Sequence, residues 1–235
     1  MTTSAARRQK SPRPEYLVRR AGLGAPRRWD WDRPPWDTAG VLHVDHFHPR
    51  GFSHRPVTRA KVLYDAAGLA VLFRVQDRYV RSVQTKPNSL VCTDSCVEFF
   101  ARPKPGRGYI NFEVNAGGAL YCAFIRDWSR APGGFKDYEF VERRLTRRVE
   151  IVPSLPRLVE PEITTPTTWT LGFFIPFALF EHYLGRLGDV AGRSWRANFF
   201  KCGDETSHPH WAMWSPVKQL NFHQPGCFGY LRFEK

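Results

Sequence analysis

Short apolar or alternating runs, separated by turn residues, are the feature that most constrains how this 235-residue chain can fold. They fall at 61–64, 69–75, 96–101, 109–115, 120–125, 169–175, 195–202, 211–214 and 228–233. Runs of this length with period-two patterning read as half-buried strands, and their even recurrence predicts an all-β, antiparallel β-sandwich or barrel. Proline, glycine and charge fill the gaps, as in RPKPGRG (102–108) and the proline-dotted stretch 153–168. One short helix is expected in PFALFEHYLG, where Pro176 suits the first turn and Gly185 a C-terminal cap.

With 42% hydrophobic residues the chain can build one core without disulfides or a structural metal. Its net charge of +13 is uneven: nine Arg and Lys stand against three acids before residue 35. Like charges punctuated by proline resist packing, so residues 1–35 read as a basic, solvated, disordered arm and 36–235 as one domain. Arg143, Arg144, Arg147 and Arg148, bracketed by Glu142 and Glu150, read as a solvated edge or loop. No apolar window makes an export signal or a membrane span, so the chain as written reads as cytoplasmic; an extracytoplasmic place would need a different start.

The five cysteines lack a disulfide-framework pattern and read as buried reduced thiols. Cys92 and Cys96 form a CxxxC, and His208 and His210 follow Cys202, but no second close cysteine pair supports zinc. His43, His46, His48 and His54, with Asp45, read as polar strand and loop. Phosphate-binding Gly-rich loops, a serine elbow and HExxH are all missing from the sequence, which removes the basis for NTP, dinucleotide or zinc-protease chemistry.

Strand YINFEVNA (109–116) is the most informative. Alternation puts Ile110, Phe112 and Val114 on a core face and Tyr109, Asn111, Glu113 and Asn115 on the other. A ring, two amides and a carboxylate form the kit that hydrogen-bonds hydroxyl groups and stacks on a sugar face. In DSCVEFF (94–100), Cys96, Glu98 and Phe100 share one face, and hairpin pairing would bring Glu98 to that polar row.

The order LYDAAGLAVLFRVQD (63–77), DSCVEFF, YINFEVNAGG (109–118), WTLGFFIP (169–176), SWRANFFKCGDE (194–205) and MWSPVKQLNFHQPGCFGYLRF (213–233) resembles family 9 carbohydrate-binding modules and their stand-alone bacterial relatives. The resemblance spans about residues 36–234. It implies a jelly-roll-like β-sandwich that binds a saccharide or glycan without cleaving it, often beside a xylanase or other glycoside hydrolase, in polysaccharide catabolism. It further implies that Glu98 is a ligand-binding glutamate and Phe222 one aromatic wall, with Asn221 and His223 flanking that ring. The opposite wall is expected just before DSCVEFF, where Asn88, Ser89, Leu90 and Val91 stand; Trp128 or Tyr79 are the available substitutes. Glu113 takes the place of an expected arginine. The resemblance implies no cofactor, though the family can also bind structural calcium, for which Asp77 and Asp94 are candidate ligands; as residues alone, both read as turn stabilisers.

Two other classes compete with the saccharide-binding reading. A glycoside hydrolase would use Glu98 with Glu113, or Asp94 with Glu98, as paired carboxylates. A basic module binding nucleic acid or an anionic surface would use the arm and Arg143–Arg148, and its affinity would collapse with salt.

Overall fold

The computed structural model describes residues 12–235 except 23, 25 and 26, so the first eleven residues of the basic arm lie outside the described residues. The first strands are β1 (Glu15–Arg20), β2 (Leu42–His43), β3 (His46–Phe47), β4 (Val57–Tyr64), β5 (Gly68–Asp77) and β6 (Val80–Ser82). Next come β7 (Cys96–Arg102), β8 (Tyr109–Asn115), β9 (Leu120–Ala131), β10 (Gly134–Phe140), a single-turn helix α1 (Arg143–Thr146), β11 (Glu150–Pro153) and β12 (Val159–Ile163). The chain closes with β13 (Thr167–Pro176), helix α2 (Phe177–Leu184), β14 (Ser194–Cys202), β15 (Trp211–Met213) and β16 (Gly229–Phe233).

One sheet runs β10-β9-β8-β7-β14-β16 and the other β4-β5-β13-β11; β1 lies between β16 and β4 and joins them. All these pairings are antiparallel except those of β1, which is parallel to both neighbours. The two sheets pack as a β-sandwich. Because side chains alternate, β7 gives the interior Val97, Phe99 and Ala101, and β8 gives it Ile110, Phe112 and Val114. Facing them are Val71, Phe73 and Val75 of β5 and Trp169, Leu171 and Phe173 of β13. Phe73 meets Phe199 with ring centroids 6.0 Å apart, tying the sheets together.

The expected helix forms as α2. Leu179, Phe180 and Leu184 are buried, and Phe180 lies edge-on to Phe112 and Trp195. Gly185 ends it at φ +72°, a left-handed conformation that lets its N–H reach Glu181 O at 2.9 Å.

The arm departs from the expectation of a solvated tail. Glu15 to Val18 pair with β16 and Arg19 and Arg20 with β4, and Tyr16 and Val18 are buried. Farther along, Trp31 and Trp36 pack on Leu63, Ala70, Leu72 and Phe174, the outward side chains of the second sheet. Trp29 lies so close over Gly172 that a Cβ there would sit 2.2 Å from the indole. Net charge concealed this: the alternation EYLVRR and three tryptophans carry enough apolar surface to dock despite the arginines. Arg27 itself stacks over the Phe174 ring at 3.4 Å and pairs with Glu150 at 2.9 Å.

Between the sheets lies a buried ionic cluster. The Lys201 ammonium donates to His210 Nε2 at 2.7 Å and to Cys202 O at 2.9 Å, and stands 3.4 Å from Asp77 Oδ2. Asp77 Oδ1 is 2.7 Å from His54 Nε2. None of the described helices is long and apolar enough to cross a membrane.

Candidate functional site

The outer face of the β7–β8–β14 sheet carries the candidate site residues Glu98 and Glu113. Register places Glu98 directly opposite Glu113 on β8 and Phe200 on β14, and Cys96 opposite both Asn115 and Cys202. This is not an open, solvated sheet face. Val91 from the segment before β7, Met213 of β15, and Phe222 and Phe228 from the late loop pack on Phe100, Tyr109 and Phe200 in a second apolar cluster. What stays open is a cavity of about 320 Å³. Its floor and sides carry Glu98, Glu113, Cys92, Cys202 and Asp204; Trp211 and Arg130 form walls; Leu220, Asn221, Phe222 and His223 roof it.

Three carboxyl groups therefore meet at one cavity, with Glu98 and Glu113 buried and Asp204 exposed. Burial, then repulsion from Glu113, raises the Glu98 carboxyl well above the ordinary glutamate value. Glu113 is raised to about 7 by burial, although Asn111 Nδ2 donates to its Oε1 at 2.6 Å. Asp204 is also raised by burial, partly offset by the Trp211 indole N–H, which donates to Oδ1 at 2.7 Å. His223 is lowered to about 3 by burial and then by Arg130, so it is a neutral imidazole. Carboxyls that are partly protonated near neutrality can both donate to and accept from hydroxyl groups.

The residues singled out in the sequence divide into two groups. Glu98, Glu113, Asn221, Phe222 and His223 line the cavity. Tyr109, Asn111 and Asn115 do not: all three are fully buried and their polar atoms are spent within the protein. Asn115 donates to Gln84 O and Asp94 Oδ2 and accepts from Ala119 N. Asn111 accepts from Ala123 N while holding Glu113. Tyr109 Oη is 2.8 Å from His223 Nδ1 and anchors the roof. Alternation identified their face correctly, but could not show that loops cover it.

Phe222 is also not a free ring. It is only 9% exposed and stacks on Phe200 at 4.1 Å with planes 14° apart. The half-buried ring on the cavity is Trp211, which alternation had assigned to the sheet; its signal was Asp204 in the KCGDE stretch, its hydrogen-bond partner. Neither expected substitute wall is present. Tyr79 stacks on His208 at 3.6 Å, and Trp128 lies on a separate groove with Arg13, His46 and Lys218. Leu90 is exposed and Val91 buried in the apolar cluster.

Asp77 and Asp94 do not fit a calcium site. Calcium needs a shell of oxygens, whereas Asp77 is engaged by His54, Lys201 and the Arg78 N–H. Asp94 Oδ2 takes Val83 N, Gln84 N and Asn115 Nδ2, and Oδ1 faces Arg81 at 3.8 Å. The chain's own cations and amides neutralise both. Glu98 and Glu113 are cross-strand neighbours that project from one face of the sheet.

A sandwich whose outer sheet face forms a small pocket of carboxyls under an aromatic-bearing loop is matched by a family model, carbohydrate-binding family 9, over residues 36–233. The chain belongs to carbohydrate-binding family 9. The β1 strand that joins its two sheets lies before the matched region. A candidate carbohydrate-binding protein of Bacteroides uniformis has the same fold at TM-score 0.79 and 24% identity, covering 94% of this chain and 100% of its own. A family 9 module of Caldicellulosiruptor kristjanssonii solved with cellotriose aligns at TM-score 0.62 and 12% identity, over 94% of each chain. Its complex with glucose aligns at 0.60 and 13% identity, over 94% of this chain and 96% of that one. No curated protein matches the chain.

Proposed function

We propose that this family 9 domain binds the end of a saccharide chain in the Glu98–Glu113–Trp211 cavity and cleaves nothing, serving polysaccharide catabolism in which hydrolysis belongs to a separate protein. The observation that carries the reading is the meeting of a half-buried indole with two buried glutamates and an exposed aspartate in one opening of about 320 Å³. That volume is at the small end of ligand pockets, so it suits one or two sugar units rather than the side of a long chain. Trp211 would stack on the apolar sugar face, while Glu98, Glu113, Asp204 and Asn221 exchange hydrogen bonds with hydroxyls. Leu90 and Val91, in place of an opposing ring, leave a one-sided platform. The family match, with a relative solved in complex with cellotriose, favours binding over the hydrolase alternative. Arg27 of the arm is paired with Glu150, while Arg19 and Arg20 of β1 stay exposed, so the salt dependence of binding separates the saccharide reading from the nucleic-acid alternative.

The test is calorimetric titration with glucose and cellotriose, the ligands of the solved relatives, at low and high salt. Saturable binding that scarcely changes with salt is expected, lost in Trp211→Ala and kept in Trp128→Ala, which alters a tryptophan outside the cavity. Binding retained in Trp211→Ala, or affinity that falls steeply with salt, would refute it.

A further inference from the structure

We propose that Cys96, buried beneath the cavity, forms with Cys202 and Glu98 of its lining a binding site for a thiophilic divalent cation of the zinc class. All three are buried, and one donor atom from each lies within 4.8 Å of the other two. Among the described residues they are the only group of three His, Cys, Asp or Glu side chains that close. Their placement is set by sheet register rather than by loops: Cys96 and Glu98 are two apart on one face of β7, and Cys202 stands directly opposite Cys96 on β14. The thiol of Cys202 already lies 3.1 Å from Glu98 Oε1. Ligand bonds of about 2.0–2.3 Å in a tetrahedral zinc site put donor atoms roughly 3.3–3.8 Å apart, a small adjustment from this arrangement.

A pair of cysteines inside a sheet is ordinarily only packing. Here the carboxyl beside them argues otherwise. Glu98 is 2% exposed, and among the described residues its hydrogen-bond donor is a thiol, a weak one. Glu113 faces it across the strand and Asp204 lines the same cavity, so three carboxyls stand there against one cation, Arg130. The nearby ammonium of Lys201 is turned toward Asp77 and His210. A cation at the floor would resolve that balance. Two sulfurs and one carboxylate oxygen suit zinc; magnesium or calcium would call for oxygens alone. The cavity leaves the fourth position open to water. On binding, the metal takes the place of the Cys96 and Cys202 thiol protons, which pass to solvent. The proposal does not depend on the saccharide reading, since one oxygen of Glu98 on a metal leaves the other facing the cavity.

The experiment is titration of the reduced, chelator-treated full chain with cadmium, followed by thiolate-to-metal absorption in the ultraviolet. One equivalent should produce the absorption, zinc should compete it away, and Cys96→Ser and Cys202→Ser should each abolish it while Cys227→Ser leaves it intact. Should the serine variants fail to fold, cadmium NMR of the wild-type protein reads the donors directly, and a shift typical of two sulfurs is expected. Absent absorption at one equivalent, absorption that survives in both serine variants, or a shift typical of oxygen and nitrogen donors alone would overturn the site.

Discussion

Phe222→Ala separates a packing ring from a ligand-facing one. On sequence alone the ring lies in an unpatterned loop between Pro216 and Pro225, and its removal would be expected to spare stability. The structure leads to a different outcome, because Phe222 is 9% exposed and stacks on Phe200 at 4.1 Å. Truncating a buried phenylalanine costs about 3–5 kcal/mol through lost transfer energy and the cavity left behind. An irregular loop can relax into part of that space, which places the cost near the lower end, about 3 kcal/mol. For a chain of this size each kcal/mol is worth about 2–4 °C, so the melting temperature should fall by about 6–12 °C. Scanning calorimetry supplies the first readout. Urea unfolding supplies the second, with the midpoint lowered and the slope unchanged. A loss smaller than about 2 °C would refute the packing assignment and return Phe222 to the role of an exposed platform.

Three further outcomes follow from the same physics. Lys201→Met should cost about 3–5 kcal/mol, because it strips a buried Asp77 of its cation, and adding Asp77→Asn should recover part of the loss; urea unfolding of the cycle checks this. Glu113→Gln should diverge from wild type as pH rises. The folded-state value is raised from 4.5 to about 7, so the folded protein holds the proton more tightly and wild-type stability falls as pH rises through that window. The variant should match wild type below pH 4.5 and exceed it above pH 7 by on the order of 1–3 kcal/mol; a constant difference would contradict the burial argument. Deleting residues 1–35 removes β1 and uncovers the edges of β16 and β4, so near-ultraviolet circular dichroism should be lost or the protein should aggregate. A shortened chain as stable as the full one would show that β1 contributes nothing.

All nine strands expected from alternation are present, as is the helix closed by Gly185, because their periodicity is local and each side chain reports its own face. Strands β1, β2, β3, β6 and β10 to β12 escaped notice for a different reason. Most are short or charged, and they exist because a neighbour offers a pairing edge, as β16 and β4 do for Glu15–Arg20. At the site, Glu98 and Glu113 were legible because a hairpin between two recognisable strands forces them together. Alternation expects Asn111, Asn115 and Tyr109 to meet a ligand, whereas in the structure they are covered, because nothing in the strand's own pattern records that Val91, Phe222 and Phe228 pack over that face. Trp211 and Asp204 become a pair only when the chain returns from β14 to β15, and Cys96 meets Cys202 across 106 positions.

The saccharide's position tests the account most directly. A crystal structure of the chain with cellotriose bound should place a terminal sugar over the Trp211 ring, with hydroxyls in hydrogen-bond reach of Glu98, Glu113 and Asn221. A sugar found instead in the larger groove of about 740 Å³ lined by Arg143, Arg147 and Arg157 would contradict it.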